Sequence, residues 1–454
     1  MGRSPFASVA LVSCAALAYE LLLLRLFSII QWHHFAYMVI SLALIGLGAS
    51  GTFLALMRDR LLPRIAQVYV TCLALFGPAA VGCYALAQQV GFNAEEIFWD
   101  LGQLLIVVFI YLLLPVPFFL SGCAIGIALM GWSENIPRLY SADLAGAGIG
   151  SLALMIALTV VFPLQALSLV ALVGTCALIV GLWELRLRWR PTPALIFALI
   201  ALPALAWPWR AELVVSPYKP LSLALQTAGA KVLEQRTGPL GLLTVVGNKV
   251  VPLRHAPGLS LYAPVGPPPQ LGLYIDAGAV SPITAWDTTS GPGHFGQLTS
   301  ALPYYLAHPG RVLVLGAGGG SSVLQALALG ADQVDAVELN PQVTALVRDR
   351  FGAFAGDLFR NSRVRLHTGD ARGFVTTGRG AYDLIQLDLI EALGASAAGL
   401  NALGENYLFT VEAMVDYLRR LSPDGFLAIT RWVRVPPRDA LKLLATAAEA
   451  LRTT

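Results

Sequence analysis

Long runs of apolar residues dominate the first half of the chain. Each is about 18 residues or longer, the length that a helix needs to cross the hydrocarbon core of a bilayer. The runs predict spanning helices near residues 6–30, 35–57, 65–89, 103–131, 142–162 and 165–184. A seventh run, 194–209, is shorter and contains Pro203 and Pro208. We therefore predict a helical membrane domain of six or seven spans over residues 1–210.

Small residues cluster within these runs at the spacing of a helical turn. Small side chains on one helix face allow two helix backbones to approach closely. A compact bundle is expected to form around these clusters: Gly46, Gly48, Ser50 and Gly51; Gly122 and Gly126; Gly146 and Gly150.

The pattern changes after residue 210. Residues 211–300 are rich in proline and glycine and contain short strand-like runs at 240–246 and 271–275, which predicts a small β-rich lead-in. Residues 301–454 alternate buried strands with helices. This alternation indicates a Rossmann-like α/β domain with a doubly wound parallel sheet, whose ligands bind at the carboxyl ends of the strands. The predicted strands are 311–315, 334–339, 364–367, 383–389 and 426–430.

Composition excludes several classes of protein. Of the 454 residues, 56% are hydrophobic and 13% are charged, and the mean hydropathy is +0.68, which excludes a fully water-soluble protein. The net charge of +3 gives no electrostatic footprint for nucleic acid, so no nucleic-acid partner is predicted. All five cysteines lie in the apolar half without metal-ligand spacing, so no metal is predicted.

A glycine-rich loop at residues 316–320 follows the first predicted strand of the α/β domain. Glycine lets a backbone approach a ligand closely, and the N-terminus of the next helix offers N–H groups. Glu338 ends the next strand, where its carboxylate can accept hydrogen bonds from both ribose hydroxyls. Asp370 ends the third strand, where it can accept a hydrogen bond from an adenine amino group. A nucleoside ligand is therefore favoured, with these candidate binding residues: Gly316, Gly318, Gly319, Glu338 and Asp370.

Two further acids lie at the end of the fourth strand, near the crevice where ligands bind in such sheets. Asp388 is a candidate general base that takes a proton from an attacking amine, and Glu391 is a candidate acid that holds the cationic amine. The alternative for Asp388 is a structural role, in which it caps the loop or bonds to its backbone.

At these positions the chain resembles spermidine synthases. The motifs that carry the resemblance, in order, are His308-Pro309, Arg311-Val312-Leu313-Val314-Leu315-Gly316, Val337-Glu338, Gly369-Asp370, Tyr382-Asp383 and Asp388. The first half resembles the multi-span region of the bacterial membrane proteins termed fused transporter/spermidine synthases. Its motifs are Tyr19-Glu20-Leu21, His34-Phe35-Ala36-Tyr37 and Leu139-Tyr140-Ser141-Ala142-Asp143-Leu144.

The resemblance implies an aminopropyltransferase of polyamine biosynthesis in a bacterial-type inner (cytoplasmic) membrane. Such an enzyme transfers the aminopropyl group of decarboxylated S-adenosylmethionine to an amine and leaves methylthioadenosine. It implies that Glu338 binds the ribose, Asp370 the adenine, and Asp388 and Glu391 the amine. The implied partners are the lipid bilayer and a small-molecule amine, and a homo-oligomer is compatible with them.

The chain departs from the family pattern at three places. Gly319 stands where the family's loop has an aspartate that contacts the donor's amine, and Phe295-Gly296-Gln297 stands where the family has Tyr-His-Glu. The family's Asp-Ser-x-Asp-Pro is here Asp388-Leu389-Ile390-Glu391-Ala392, which keeps the two acids. Four interpretations stay open: an aminopropyltransferase-like enzyme, an S-adenosylmethionine-dependent methyltransferase, a transporter or sensor whose domain only binds a nucleoside, and an inactive relic.

The sidedness of the second half rests on two opposing arguments. Arginines concentrate in alternate loops, after the second, fourth and sixth predicted spans, which places these loops and the N-terminus in the cytoplasm. A complete seventh span would then place residues 211–454 outside. S-adenosylmethionine and its decarboxylated form are made in the cytoplasm, however. We therefore expect 194–209 to be re-entrant or interfacial and the second half to be cytoplasmic.

Overall fold

A computed structural model describes residues 4–31, 35–187, 191–287, 293–388, 407–432 and 435–454. Contacts within the chain divide it into two compact units. The helical unit comprises Met1–Lys219 with Thr237–Pro239, and the α/β unit comprises Pro220–Arg236 with Leu240–Thr454. The division into 1–210, 211–300 and 301–454 stays a prediction.

Long helices form most of the helical unit. They are α1 (Phe6–Ile30), α2 (Phe35–Leu61), α3 (Ile65–Gln89), α4 (Gly102–Leu113), α5 (Pro115–Gly131), α6 (Ile136–Ala157), α7 (Pro163–Glu184) and α8 (Pro191–Ala206). Among the described residues, six helical segments are long and apolar enough to cross a membrane, one of which, Met38–Gln89, joins α2 to α3. The fourth predicted span is divided at Leu114, whose backbone stays in right-handed helical geometry. Pro115 therefore divides the helix but does not end the helical segment, which continues from Gly102 to Gly131.

Glycines bring pairs of these helices into close contact. A side-chain carbon at Gly146 of α6 would collide with the carbonyl oxygen of Ala10 in α1, and one at Gly150 would collide with that of Cys14. Gly122 of α5 packs on Ser50 of α2 in the same way. The predicted close approach is confirmed at these positions. Gly48 and Gly51, in contrast, face open space.

One end of the helical unit is organised by a buried carboxylate. Glu184, at the end of α7, accepts hydrogen bonds from the backbone N–H groups of Ala7 (2.8 Å) and Ser8 (3.1 Å) and from the Ser8 hydroxyl (2.6 Å). The N-terminal N–H groups of a helix have no partner within it, so an anion there stabilises α1. Nearby, the Asn135 side chain donates to the Ser4 hydroxyl (3.0 Å). The start of α1, the end of α7 and the segment before α6 therefore meet at this end.

The segment that follows α8 lies at the opposite end. The backbone N–H of Ser216 donates to the carbonyl oxygen of Ile30 at the end of α1 (2.9 Å). The Gln88 side chain, near the end of α3, donates to the carbonyl oxygen of Glu212 (2.7 Å). Residues 212–219 therefore pack where α1 and α3 end.

The α/β unit begins with helix α9 (Pro220–Gln226) and an antiparallel sheet. Its strands are β1 (Ala230–Arg236), β2 (Leu243–Asn248), β3 (Gln270–Ile275) and β4 (Val280–Thr284), in the order β1-β2-β3-β4. This sheet is the predicted β-rich lead-in.

A parallel five-stranded sheet follows, in the order β7-β6-β5-β8-β9. The strands are β5 (Arg311–Leu315), β6 (Gln333–Glu338), β7 (Val364–Thr368), β8 (Tyr382–Asp388) and β9 (Leu421–Thr430). The helices are α10 (Leu302–Ala307), α11 (Ser321–Ala328), α12 (Pro341–Ala345), α13 (Ala371–Thr377), α14 (Val411–Arg419) and α15 (Arg438–Thr453). The strand order reverses between β5 and β8, which creates the crevice where such sheets bind ligands. The predicted doubly wound fold is confirmed.

Candidate functional site

The glycine-rich loop between β5 and α11 needs its glycines. Gly316, Gly318 and Gly320 have φ angles of +80°, +50° and +95°, a region that is strained for residues with a side chain. The N–H groups of Gly316 and Ala317 both donate to the carbonyl oxygen of Val337 in β6 at 2.9 Å. The loop therefore turns over the end of β6, next to Glu338.

Glu338 is held by this loop. The side chain is 2% exposed; one carboxylate oxygen accepts from the Gly318 N–H and the other from the Asn340 N–H, both at 2.9 Å. Burial raises the pKa of the carboxyl above its ordinary value, although these backbone donors oppose the shift. An ionised carboxylate has about four lone-pair sites, so these backbone bonds leave the group with some acceptor capacity. Its ribose role stays a prediction.

Asp370 has a clear structural role. One oxygen accepts from the Gly373 N–H at 2.6 Å and so caps α13, and the other accepts from the Tyr407 hydroxyl at 2.5 Å. Burial and the bond to Asp370 raise the pKa of Tyr407 to about 12. The cap is a common use of an aspartate before a helix. The contact of Asp370 with adenine stays a prediction.

Asp388 is fixed by donors from three elements. Its Oδ1 accepts from the Thr430 hydroxyl of β9 at 2.6 Å, and its Oδ2 accepts from the Ser322 hydroxyl of α11 at 2.7 Å. The Gln386 amide, from the same strand, also donates to Oδ2. The carboxylate is therefore oriented at the carboxyl end of β8, beside the switch point of the sheet. Glu391 lies outside the described residues.

A buried polar chain lies behind Asp388. The Tyr304 hydroxyl donates to the Gln386 carbonyl oxygen (2.6 Å), and the Gln386 amide donates to Gln325 (3.0 Å). Gln386 is fully buried, and burial followed by the charge of Asp388 raises the pKa of Tyr304 well above its ordinary value. Because each member of this chain has a partner, the chain stiffens the support of Asp388.

A cleft of about 150 Å³ opens in front of Asp388. Asp388 is the one carboxylate among the described residues that line it. Burial lowers the pKa of His255 and of His294 in its walls, which favours neutral imidazoles. The glycine loop contributes Gly316, Ala317 and Gly318, helix α11 contributes Ser322, and strand β9 contributes Thr430. The antiparallel sheet contributes Gln270, Leu273, Ile275, Val280, Ser281 and Pro282. The cleft therefore combines one oriented carboxylate with largely apolar and neutral walls.

Strand β4 lies directly on the glycine loop. The Gly319 N–H donates to the Ser281 hydroxyl at 2.8 Å, and the Ser321 hydroxyl donates to the carbonyl oxygen of Pro282 at 3.2 Å. A side-chain carbon at Gly319 would collide with that carbonyl oxygen. The loop itself therefore offers close backbone approach rather than N–H donors, since the N–H groups of residues 316–320 all have partners within the protein.

Among the residues that the structure describes, no group of three or more His, Cys, Asp or Glu side chains is placed to hold a metal ion. The metal-free site stays a prediction.

The chain resembles known proteins over this region. Residues 293–431 match the spermine/spermidine synthase domain family. The match covers less than a third of the chain, and it contains the glycine loop, Glu338, Asp370, Asp388 and Glu391.

Two curated relatives match over shorter segments. The chain is 30% identical over 125 residues to a polyamine aminopropyltransferase of Korarchaeum cryptofilum, which is 28% of this chain and 36% of that protein. It is 33% identical over 119 residues to a polyamine aminopropyltransferase of Clostridium acetobutylicum, which is 26% of this chain and 38% of that protein. Each match thus spans little more than a third of the relative. A solved spermidine synthase from Thermotoga maritima is 16% identical, with 49% of this chain and 64% of that chain covered and a TM-score of 0.32.

Sequence reasoning missed the residues that support the site. Gln386 gave a usable signal, because it is a polar residue inside the apolar strand β8. Ser322 lies two residues after the glycine loop, so its nearness to the site was also recognisable from the sequence. Ser281, Tyr407 and Thr430 carried no local signal, since their partners lie far away in the sequence.

Proposed function

We propose that the α/β unit is an aminopropyltransferase of the spermidine synthase type. It would use decarboxylated S-adenosylmethionine as the donor and a small-molecule amine as the acceptor. The observation that carries this proposal is the position of Asp388: it lies within the matched residues 293–431, at the sheet's switch point, and lines the same cleft as the glycine loop.

In the proposed reaction the acceptor nitrogen attacks the aminopropyl carbon that is bonded to the sulfonium. A carbon–nitrogen bond forms, the carbon–sulfur bond breaks, and its electron pair stays on sulfur as methylthioadenosine leaves. The proton of the amine goes to Asp388, and Glu391 holds the incoming amine. An oriented base of this kind contributes about 10²- to 10⁴-fold to the rate.

The donor's nucleoside part would bind next to the glycine loop. Glu338 would accept from the ribose hydroxyls and Asp370 from the adenine amino group, while Gly316, Gly318 and Gly319 allow close approach of the backbone. Support for the ribose role comes from the Glu338 carboxylate, which the Gly318 and Asn340 N–H groups already orient at the end of β6.

The experiment is a turnover assay of the full-length protein in detergent. Decarboxylated S-adenosylmethionine and putrescine are supplied, and the release of methylthioadenosine is measured. Asp388→Asn should lower turnover by about 10²-fold or more, because an amide cannot take the proton. The matched control, Asp349→Asn, changes a surface aspartate that is paired with Arg348 and Arg360, and it should leave turnover unchanged. Full activity of Asp388→Asn would contradict the proposal.

Methyl transfer from S-adenosylmethionine is the second candidate, and Gly319 favours it. Without a carboxylate at this position, nothing in the loop repels the carboxylate of the intact donor. A parallel assay that supplies intact S-adenosylmethionine distinguishes the two, because methyl transfer from that donor releases S-adenosylhomocysteine, whereas aminopropyl transfer from the decarboxylated donor releases methylthioadenosine. Donor binding without either product would favour a transporter or sensor, and absence of binding would favour a relic.

We infer that the helical unit spans a lipid bilayer, of the bacterial inner-membrane type. Helix α1 has 25 residues, or about 37 Å at 1.5 Å per residue, which exceeds the hydrocarbon core of about 30 Å. Large apolar side chains are exposed along several helices, among them Leu56 (75%) of α2, Leu105 (75%) of α4 and Leu152 (63%) of α6. Surfaces of this kind favour lipid over water. The protein should stay in the membrane fraction after alkaline extraction, and release by that treatment would contradict this placement.

A further inference from the structure

A cavity of about 80 Å³ lies within the helical unit, at the end where α1 and α3 terminate. Gln31 follows α1, while Tyr84 and Gln88 belong to the last turns of α3. Residues 214–217 contribute to the walls from the segment after α8. The remaining walls are largely apolar: Phe27, Ile30, Ala87, Gly91, Phe92, Asn93 and Ile110.

The two glutamine side chains are oriented by their amide nitrogens. The Gln31 amide donates to the carbonyl oxygen of Phe92, and the Gln88 amide donates to that of Glu212, both at 2.7 Å. These bonds fix which end of each amide is oxygen. The side-chain oxygen of Gln31 therefore points away from the carbonyl of Phe92, and that of Gln88 points away from the carbonyl of Glu212.

Three residues that line this cavity each carry a buried polar atom without a hydrogen-bond partner among the described residues. These atoms are the side-chain oxygens of Gln31 and Gln88 and the hydroxyl of Tyr84. Tyr84 is 1% exposed and Gln31 is 6% exposed. Buried polar atoms almost always have a partner, so three at one cavity point to a bound group.

The chemistry of these atoms selects a hydrogen-bond donor. Amide oxygens only accept, and a phenol oxygen can accept. The three acceptors match in number the three N–H donors of a primary ammonium. Phe27, Tyr84 and Phe92 also line the cavity, and aromatic rings are the side chains whose faces attract cations.

Charge near the cavity agrees with this selection. Among the described residues that line it, none carries a positive charge. Asn93 in its wall donates to the Glu96 carboxylate (3.1 Å), which adds negative charge nearby. Lys219 is not among the lining residues, and its ammonium donates to the carbonyl oxygen of Ser28 (3.0 Å).

We propose that this cavity binds the ammonium group of a small primary amine. A water molecule occupies about 30 Å³ in the liquid, so the cavity accepts a group of two or three heavy atoms.

The test uses the full-length protein in detergent, without donor, so that its outcome is independent of transferase activity. Methylammonium chloride is titrated by calorimetry against sodium chloride at equal ionic strength, and methanol serves as the neutral probe. We expect saturable binding of methylammonium and none of methanol. Tyr84→Phe and Gln88→Leu each remove one acceptor and should weaken binding about tenfold or more.

The matched control is Gln89→Leu, which changes an exposed glutamine next to Gln88 on the same helix and should bind as the unchanged protein does. Thermal unfolding of each variant in sodium chloride shows whether it is folded. The proposal would be overturned if all variants bound methylammonium equally, or if methanol gave the same response as methylammonium. It would also be overturned if methylammonium gave no saturable response, because the cavity would then be a site for water only.

Discussion

The hydroxyl of Ser168, near the start of α7, donates a hydrogen bond of 2.8 Å to the carbonyl oxygen of Leu205, near the end of α8. Only six residues, 185–190, connect the end of α7 to the start of α8. Helix α8 therefore runs antiparallel to α7 along most of its length. Pro203 lies inside the helix, and a 3₁₀ turn extends it to Trp209. This geometry favours a full crossing over the re-entrant or interfacial segment that the sequence analysis expected.

The first prediction concerns the side of the membrane on which the helical unit ends. The end where α7 stops also holds Asn135, which contacts Ser4, and Tyr69 near the start of α3, which contacts Ser8. The segments bearing Arg58, Arg138 and Arg186 adjoin these residues in the sequence, and residues 212–219 pack at the other end. With the arginine loops in the cytoplasm, an alkaline phosphatase fused after Lys219 should be active outside it. A fusion after Leu187, before α8, is the control and should be inactive.

A cytoplasmic fusion after Lys219 would contradict this topology and restore the expectation of a cytoplasmic second half. The predicted topology also bears on the chemistry. Because the proposed donor is made in the cytoplasm, it would have to cross the membrane to reach a C-terminal unit outside. This consequence can be tested with sealed vesicles of each orientation. The proposed donor is added outside the vesicles, and turnover shows in which orientation the donor reaches the C-terminal unit.

The second prediction concerns the contact between α1 and α6. Gly146→Ala places a carbon against the backbone of Ala10, and Gly150→Ala places one against Cys14. Either change forces the helices apart and should destabilise the helical unit by about 1–3 kcal/mol, seen as a lower thermal unfolding temperature in detergent. Gly148→Ala faces open space on the same helix and should have no such effect. Equal unfolding temperatures for all three variants would refute the close packing.

Much of the α/β fold could be predicted because its strands are buried on both faces. β5 was predicted at its observed bounds, and β6 and β8 within one residue, since each is a short, largely buried run that alternates with predicted helices. β1 and β4 were missed. β1 is half exposed and carries Lys231 and Glu234, and β4 contains Pro282, which argues against a strand in the sequence.

The candidate site was predictable only in part, for a related reason. Glu338 and Asp388 end parallel strands, and strand order then places them near the crevice. The packing of Ser281 and Pro282 on Gly319 joins two sheets across about forty residues. No local pattern encodes such a contact. The structural use of Asp370 as a helix cap was predictable from its position before α13, but the sequence could not rank this role against adenine binding.

The third prediction concerns Glu338 and the ribose. Each charge-assisted hydrogen bond contributes about 1.5–3 kcal/mol, and two such bonds are proposed. Glu338→Ala should therefore weaken methylthioadenosine binding by about 100-fold or more, measured by calorimetry. Glu449→Ala, an exposed acid on α15, is the control. If Glu338→Ala bound methylthioadenosine with unchanged affinity, Glu338 would not be a binding residue.

The fourth prediction is the pH dependence of that binding. Burial raises the pKa of Glu338 above 4.5, and ribose hydroxyls donate to the ionised carboxylate. Affinity should therefore fall as the pH drops through this raised pKa, at a higher pH than for an exposed glutamate. The contribution to folding has the opposite sign: because the folded pKa is raised, stability from this group is present below pH 4.5 and is lost as the pH rises through the folded pKa. Glu338→Gln should abolish this pH dependence of affinity, and its persistence in that variant would assign it to another group.

The last prediction concerns the choice between donors, which depends on Gly319. A carboxylate at this position would attract the amine of the decarboxylated donor and repel the carboxylate of S-adenosylmethionine. Since Gly319 offers neither effect, the two donors should bind with affinities within about tenfold of each other, or 1.4 kcal/mol. Gly319→Asp should not restore selectivity, because its side chain would collide with the carbonyl oxygen of Pro282; we expect weaker binding of both donors. Ser281→Ala is the control, since it removes the hydrogen bond to the Gly319 N–H without adding bulk. A strong preference of the unchanged protein for S-adenosylmethionine would instead favour methyl transfer. A strong preference for the decarboxylated donor would mean that a carboxylate outside the glycine loop contacts the donor's amine.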